Sequence, residues 1–353
     1  MKRLVPELKT LLHEGTVIPA HPLALDRSRR FDERSQAALT RYYLAAGAGG
    51  VAVGVHSTQF EIHDPASGLL HPVLALAAEV VEQELQVRPR PFLKIAGVIG
   101  RTEQALRETQ LAADLGYDAV LLSMAAFRND SDAAMLAHCR EVAALLPLVG
   151  FYLQPAVGGR LLGYSFWRAF AEIDNVVAVK IAPFNRYQTI DVVRAVVDAG
   201  RAAEIALYTG NDDSIWVDLL TEYHFGRDTE PARMAGGLLG HWAVWTKRAV
   251  EQFAALKEAR ATARVDARGW LALAAQVTDA NAALFDAAHR YTGCLPGISH
   301  LLAQQGLVQG PWTLNPHEVL SPGQTEEIQR VRTQYPHLCD DGFVAEHLDG
   351  WLR

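Results

Sequence analysis

Two residues in this chain have the chemistry and the spacing to form a covalent bond to a substrate. Lys180 sits in the apolar run V-V-A-V-K-I-A-P, and strand alternation places Val176, Ala178 and Lys180 on one face. A lysine on a buried strand is costly unless it is paired or uncharged. The plainer reading is a strand-end lysine whose stem lies on apolar wall while its ammonium reaches water. The chemical reading is an amine kept neutral by desolvation, able to attack a carbonyl carbon and give a Schiff base. Tyr152 ends the preceding apolar run, in F-Y-L-Q-P. Neighbouring parallel strands lie about 5 Å apart, so this phenol is expected to approach the amine. There it would shuttle a proton while a carbinolamine forms and loses water. A tyrosine that only fills a core layer is the alternative.

Both residues need strands to hold them. Eight short runs rich in Val, Ile and Leu begin at residues 16, 49, 92, 118, 148, 175, 204 and 235, with longer amphipathic stretches between them. The intervals are each close to one βα unit. Near-continuous apolar strands are what a parallel sheet buried on both faces requires. Residues 102–116 read as a helix that starts on a capping Thr102 and stops at Gly116, and residues 187–200 as another that stops at Gly200. Eight such units without a break in composition predict an α/β fold, a closed (β/α)8 TIM barrel, over an open doubly wound sheet. No GxGxxG turn follows the first run, which weakens the dinucleotide-binding alternative. The barrel is expected over residues 1–261. Residues 262–353 read as a C-terminal helical region packed on it, because no Pro/Gly/Ser linker precedes them. Residues 216–232 lengthen the seventh unit, and the charged stretch at 256–268 reads as a solvated helix end.

Composition narrows the function classes. The chain has 353 residues, half of them hydrophobic, with 33 Lys and Arg against 40 Asp and Glu. That describes a globular protein with a large core rather than a disordered one. The net charge of −7 argues against nucleic acid as the main partner, since phosphate binding needs a basic face. Cys139, Cys294 and Cys339 are far apart and in no CxxC pattern, so neither a disulfide framework nor a cysteine zinc site is expected. The N-terminus lacks the apolar region of a signal peptide, and no apolar run reaches the ~18 residues of a membrane span. A soluble cytoplasmic protein is expected.

In a barrel, catalytic groups sit at the C-terminal ends of the strands. The polar residues that end the apolar runs are His21, His56, Ser57, Tyr152, Gln154, Lys180, the run Asn211-Asp212-Asp213, and His241. His21, His56 and His241 end runs one, two and eight, which become neighbours when a barrel closes. Three imidazoles there could bind a divalent ion with an open position, making a metal-dependent lyase or hydrolase. No HxH or HxxxH spacing supports this, and His63 and Asp64 lie in a loop. Hydrogen-bonded or substrate-contacting histidines are therefore the expectation, with no metal.

Taken together, these segments resemble the dihydrodipicolinate synthase/N-acetylneuraminate lyase family of class I Schiff-base aldolases. The resemblance is collinear through IPAHPLAL (18–25), GGVAVGVHS (49–57), IAGVIGRTEQAL (95–106), YLQPAVGG (152–159), AVKIAP (178–183) and YTGNDD (208–213), and extends to residues 297–321. Its strongest part is Y-x-x-P-x-x-x-G, with the lysine of AVK 28 residues after the tyrosine. The resemblance implies a (β/α)8 barrel with a helical extension, assembled as a homotetramer or dimer. It implies a Schiff base between Lys180 and a 2-oxo acid, commonly pyruvate, with Tyr152 as proton shuttle and no cofactor. An aldehyde is the second partner.

This sequence departs from the family pattern in the acceptor half of the site. The family loop G-T-T-G-E after the second strand reads Gly54-Val55-His56-Ser57-Thr58 here. Backbone N–H groups of Val55, His56 and Ser57 could still seat a carboxylate, since such nests need no particular side chain. The family's P-Y-Y segment is Ala125-Ala126-Phe127 here, and Phe127 cannot relay a proton. Val157 stands where the synthase has a substrate-gripping arginine. Gly210 and Gly240 are expected to keep the mouth open, or else to serve plain turns. The sequence thus predicts a lyase or aldolase joining a 2-oxo acid to an aldehyde, and a poor dihydrodipicolinate synthase. A non-catalytic binding barrel is a further alternative, permitted by the lost threonines and tyrosine.

Overall fold

A computed structural model describes residues 2–226 and 230–353. All eight apolar runs are strands: β1 (Val17–Pro19), β2 (Gly50–Val53), β3 (Leu93–Val98), β4 (Ala119–Leu122), β5 (Leu148–Leu153), β6 (Val176–Ala182), β7 (Ala206–Thr209) and, last, β10 (Gly236–Leu239). They form one eight-stranded sheet and are buried almost throughout, as apolar strands covered on both faces must be. Between them run α2 (Glu33–Ala46), α3 (Leu70–Val87), α4 (Thr102–Asp114), α5 (Asp132–Ala143), α6 (Tyr164–Phe170), α7 (Arg186–Asp198) and α8 (Ile215–Leu220). Helix α1 (Pro6–Glu14) precedes β1, and α9 (Thr246–Ala261) follows β10. This is the (β/α)8 TIM barrel expected from the repeat. The chain then continues through α10 (Ala267–Leu284), α11 (Cys294–Gln304), α12 (Gln324–Gln334) and α13 (Asp341–Trp351). In the long seventh unit, β8 (Glu222–Tyr223) pairs antiparallel with β9 (Ala232–Arg233). Residues 227–229 of that stretch lie outside the described residues.

Two compact units make up the chain, Met1–Thr16 with Pro91–Leu238, and Val17–Arg90 with Leu239–Arg353. In the first, strands β3 to β7 pair in parallel in chain order, and β10 pairs with β7. Tyr208 on β7 donates its hydroxyl to the Leu12 carbonyl at 3.0 Å, which ties α1 to the sheet. Helix α7 is capped by Asn185, whose side chain accepts from the Tyr187 and Gln188 amides. Thr102 does not cap α4 as expected. Arg101 holds the cap position without a side-chain bond, and the Thr102 hydroxyl lies 3.0 Å from His138 Nδ1 on α5.

In the second unit the β1 end bridges β2 at Ala20 and Ala52, and the Ala20 amide donates to the Leu239 carbonyl at 3.1 Å. Asp340, at the start of α13, is buried and accepts from the Tyr42 hydroxyl at 2.6 Å, the Lys247 amide at 3.1 Å and the Gln305 amide group at 2.9 Å. Those bonds join the C-terminal helices to α2 and α9. Burial still pushes this carboxyl above its usual range. The stretch after α9 is exposed through residue 269, a solvated helix end as its charges predict.

Candidate active site

Lys180 lies in the middle of β6 with Phe151 opposite it on β5 and Tyr208 opposite it on β7. Only 7% of the residue is exposed. Its ammonium sits 4.6 Å from the centre of the Phe151 ring, which offers a cation a face but no counter-charge. Burial lowers the Lys180 pKa to about 8, and the charge of Asp212 works in the opposite direction. Roughly a tenth of such an amine is neutral at pH 7, against about one part in 3,000 for an ordinary lysine. Availability of the neutral amine is what a carbonyl-attacking lysine needs.

The chain after β7 is pinned by a buried polar network. Asp218 on α8 is fully buried and accepts from the Thr209 hydroxyl at 2.6 Å and from Asn211 Nδ2 at 2.8 Å, and it pairs with Arg186. Asn211 Nδ2 also donates to the Thr189 hydroxyl at 3.1 Å, while its Oδ1 accepts from the Phe184 amide at 2.9 Å. Phe184 holds a left-handed backbone (φ 53°) just past the end of β6, a strained state that persists because neighbours over-determine it. The network therefore fixes the exits of β6 and β7 together. Gly210 lies against the stem of Lys180, so it makes room for the lysine rather than for a substrate. Asn211 and Asp212 stood out in the sequence as polar groups ending a strand. Thr209 and Asp218 did not, because a serviceable hydrogen-bond partner leaves no periodic signal.

Tyr152 departs from its expected position. The β5–β6 register sets it opposite Ile181, so alternation turns it to the face away from Lys180. Its ring packs 5.3 Å from that of Trp167 on α6, and its hydroxyl accepts from the Leu162 amide at 3.2 Å. Burial raises its pKa. Phe151, one residue earlier, has the place beside the amine. Without the register shift between Leu148 and Val149, Tyr152 would stand opposite Lys180, and that shift is why the expected approach of phenol to amine fails.

The loop after β2 is organised by Thr58. Its hydroxyl accepts from the Gly54 amide at 2.9 Å and the Val55 amide at 3.2 Å, and donates to the His21 carbonyl at 2.6 Å. The Val55 N–H is thus committed inside the loop, which corrects its expected part in a carboxylate seat. His56 and Ser57 form the following 3₁₀ turn, with the Ser57 hydroxyl 3.3 Å from the His21 carbonyl and the His56 ring 5.8 Å from Phe60. His21 Nδ1 donates to the Pro22 carbonyl at 2.8 Å and Nε2 faces the Thr40 hydroxyl at 2.9 Å. Both ring nitrogens are occupied, so His21 is built in as a hydrogen-bonding group rather than a metal ligand. Burial lowers the pKa of His21 and of His241 to about 4. Among the described residues, no group of three or more His, Cys, Asp or Glu is gathered as an ion would need. Gly240 backs onto Phe285, where a β-carbon would come within 2.8 Å of the ring, so it serves packing and not an open mouth.

Around the P-Y-Y position, Phe127 is buried against His138 at 4.4 Å, with the Arg101 guanidinium 4.6 Å above its ring. The arginine nearest in sequence to Val157 is Arg160. It donates to the Phe127 carbonyl at 2.9 Å and the Asp130 carbonyl at 2.8 Å, and pairs with Asp132 at 3.4 Å. These partners hold the loop before α5 and take three of the five guanidinium N–H groups.

The model of the Dihydrodipicolinate synthetase family matches residues 14–222. A 4-hydroxy-tetrahydrodipicolinate synthase of Alkaliphilus oremlandii is 26% identical over 116 residues, 32% of this chain and 38% of that protein. The enzyme of the same name from Desulforudis audaxviator is 31% identical over 138 residues, 38% of this chain and 45% of that protein. The chain thus spans less than half the length of these curated relatives. Among solved structures, the chloride-inhibited dihydrodipicolinate synthase of Acinetobacter baumannii complexed with pyruvate has a TM-score of 0.73 at 18% identity, covering 91% of this chain and 99% of that one. CdNal of Clostridium difficile in complex with mannosamine has a TM-score of 0.72 at 14% identity, with the same coverage of 91% and 99%. At such identities the likeness establishes the barrel and nothing finer. No described helix is long and apolar enough to cross a membrane.

Proposed function

The chain belongs to the dihydrodipicolinate synthetase family, and we propose that it is an aldolase-type lyase working through a Schiff base between Lys180 and a 2-oxo acid, pyruvate first among them. The observation that carries this is Lys180 itself, an amine held on an inner strand with its pKa lowered to about 8 by burial. The neutral nitrogen attacks the keto carbon, and loss of water leaves an iminium. The iminium withdraws electrons from the adjacent carbon–carbon bond. Cleavage releases an aldehyde and leaves an enamine, and the reverse direction condenses the enamine with an aldehyde. Imine chemistry of this kind requires no metal or organic cofactor. For the carboxylate of the keto acid we retain the backbone of His56 and Ser57, on the sequence match of that loop alone. A homotetramer or dimer, and a cytoplasmic setting, belong to the same proposal.

The aldehyde is proposed to be uncharged or hydroxylated rather than aspartate semialdehyde. Val157 offers neither charge nor donor, and Arg160 is engaged by Phe127, Asp130 and Asp132. A carboxylate buried there would go unpaired, at a cost of several kcal/mol.

The test is reductive trapping. Incubation with pyruvate and borohydride should add one reduced pyruvoyl unit at Lys180, located by peptide mass spectrometry, and Lys180→Ala should abolish it. Labelling at another residue, or none with any of a panel of 2-oxo acids, overturns the assignment.

A further inference from the structure

We propose that Phe151 is the residue that holds the cationic imine nitrogen of Lys180, the face of its ring standing where a counter-ion would otherwise be needed. The inference rests on the Schiff-base reading above and deepens it. An ammonium and a keto group give an iminium and one water, with no net gain or loss of protons. The nitrogen bonds to the keto carbon, and the carbonyl oxygen leaves as water with two of the three ammonium hydrogens. The positive charge remains on the new C=N bond. Both the resting ammonium and the iminium are therefore cations, in a place where only 7% of the lysine is exposed. A cation so stripped of water needs an electrostatic substitute for it.

The surroundings of that nitrogen are set by the two neighbouring strands. On β5, Phe151 is buried opposite Lys180, and its ring centre lies 4.6 Å from Nζ. At that range the electron-rich face of a ring attracts a cation, and the attraction strengthens when water is excluded. On β7, the bare backbone of Gly210 lies against Cγ and Cε of the lysine stem. Tyr208, opposite on the same strand, has its hydroxyl tied to the Leu12 carbonyl. The charge of Asp212 also favours a cation at this lysine, and the ring adds an attraction of a different kind. An ammonium carries three N–H donors, and a ring face offers no lone pair to any of them. A protonated imine carries one. Its charge is also spread over a plane, as in the guanidinium groups that stack on aromatic faces. A ring at this position thus leaves the ammonium free to lose its proton and still holds the iminium once it has formed.

Site-specific replacement of Phe151 by 4-fluoro-, 3,5-difluoro- and 3,4,5-trifluorophenylalanine tests this. The series keeps the shape of the ring and withdraws electrons from its face in steps. Borohydride trapping of pyruvate at Lys180, taken to equilibrium over a range of pyruvate concentrations at pH 9, reads the formation constant of the iminium from the neutral amine. That constant should fall with each added fluorine, to about 5–30-fold below the parent in the trifluoro protein. The midpoint of the pH profile of trapping should move downward in step, because the ammonium loses the same face. Phe151→Leu, shown to be folded by urea denaturation, should lose at least as much as the trifluoro protein. If that variant does not fold, the fluorinated series decides alone. A ring that only fills the core would leave the constant and the midpoint level across the series. A labelled parent with such a level series overturns this proposal alone. An unlabelled parent overturns the Schiff-base reading and this one together.

Discussion

Gly210 and Lys180 compete for the same space: a β-carbon at Gly210 would stand 2.7 Å from Lys180 Cε and 2.8 Å from Ala182 Cβ. Real β-carbons do not approach that closely, so either the lysine stem or the end of β6 must shift to admit one. Gly210→Ala should therefore cut the rate of pyruvate trapping at Lys180 by at least about tenfold, with an overpacking cost of about 1–3 kcal/mol in urea denaturation. Trapping at the parent rate would mean that the stem does not need its present path.

The lowered pKa of Lys180 predicts how trapping responds to pH. Desolvation disfavours the charged ammonium, so the folded protein releases this proton at about 8, whereas the unfolded chain keeps it until about 10.4. The rate of adduct formation should climb tenfold per pH unit below 8 and level off above it. Between those two values the unfolded chain binds the extra proton, so the contribution of Lys180 to stability rises with pH across that window. Lys180→Met should lack this rise in pH-dependent denaturation. A rate still climbing at pH 10 would show an ordinary solvated amine.

Thr58 predicts a stability effect that discriminates hydroxyl from shape. Its oxygen satisfies the Gly54 and Val55 amides and its proton satisfies the His21 carbonyl. Thr58→Val keeps the volume and strands the Gly54 and Val55 amides, while the His21 carbonyl keeps the Ser57 hydroxyl, for a cost of roughly 2–4 kcal/mol, since each unsatisfied group costs about 1–3 kcal/mol. Thr58→Ser should recover most of it. Equal stabilities for the two variants would mean that other groups reach those amides.

Much of this architecture is written in local pattern, and the residues that defeat the pattern share a cause. Each of the eight apolar runs became a strand because continuous burial on two faces leaves a signal that needs no partner. Lys180 was legible for the same reason, as a charge where that signal forbids one. The orientation of Tyr152 was not legible. One irregular step in the β5–β6 register decides which face it takes, and such a step has no mark in either strand's own composition. The bonds of Thr58 and Asp218 reach across loops whose geometry is settled only after folding. Comparison with the family's G-T-T-G-E loop marks Thr58 only as a departure, yet its hydroxyl holds that turn together.

The buried histidines predict sensitivity to acid. His241 titrates at about 4 in the folded chain because burial disfavours the imidazolium, against about 6.5 when unfolded. Between those values the unfolded state holds more protons, so stability falls as pH drops from 6.5 toward 4. In urea titrations across that range, His241→Asn should flatten the slope by about 1.4 kcal/mol per pH unit relative to the parent. His21, with a like value of about 4, should behave in the same way. Parallel slopes for parent and variant would place the His241 ring in contact with water.

Specificity is the last point on which the side chains commit themselves. A second substrate bearing a carboxylate needs a guanidinium or a set of donors to replace its water. Val157 supplies neither, and freeing Arg160 would break its bonds to the Phe127 and Asp130 carbonyls and its pair with Asp132. Condensation of pyruvate with aspartate semialdehyde should therefore run at least about 10²-fold below condensation with the best of a panel of neutral or hydroxylated aldehydes, compared as kcat/KM. Val157→Arg should narrow that gap by raising the semialdehyde value, with the trapping rate of pyruvate at Lys180 unchanged. That split matters, because trapping reads the imine half alone and condensation reads both halves. Turnover of the semialdehyde that matches or exceeds the neutral aldehydes in the parent protein would show that another donor meets the carboxylate, and would return the chain to the activity its curated relatives are named for.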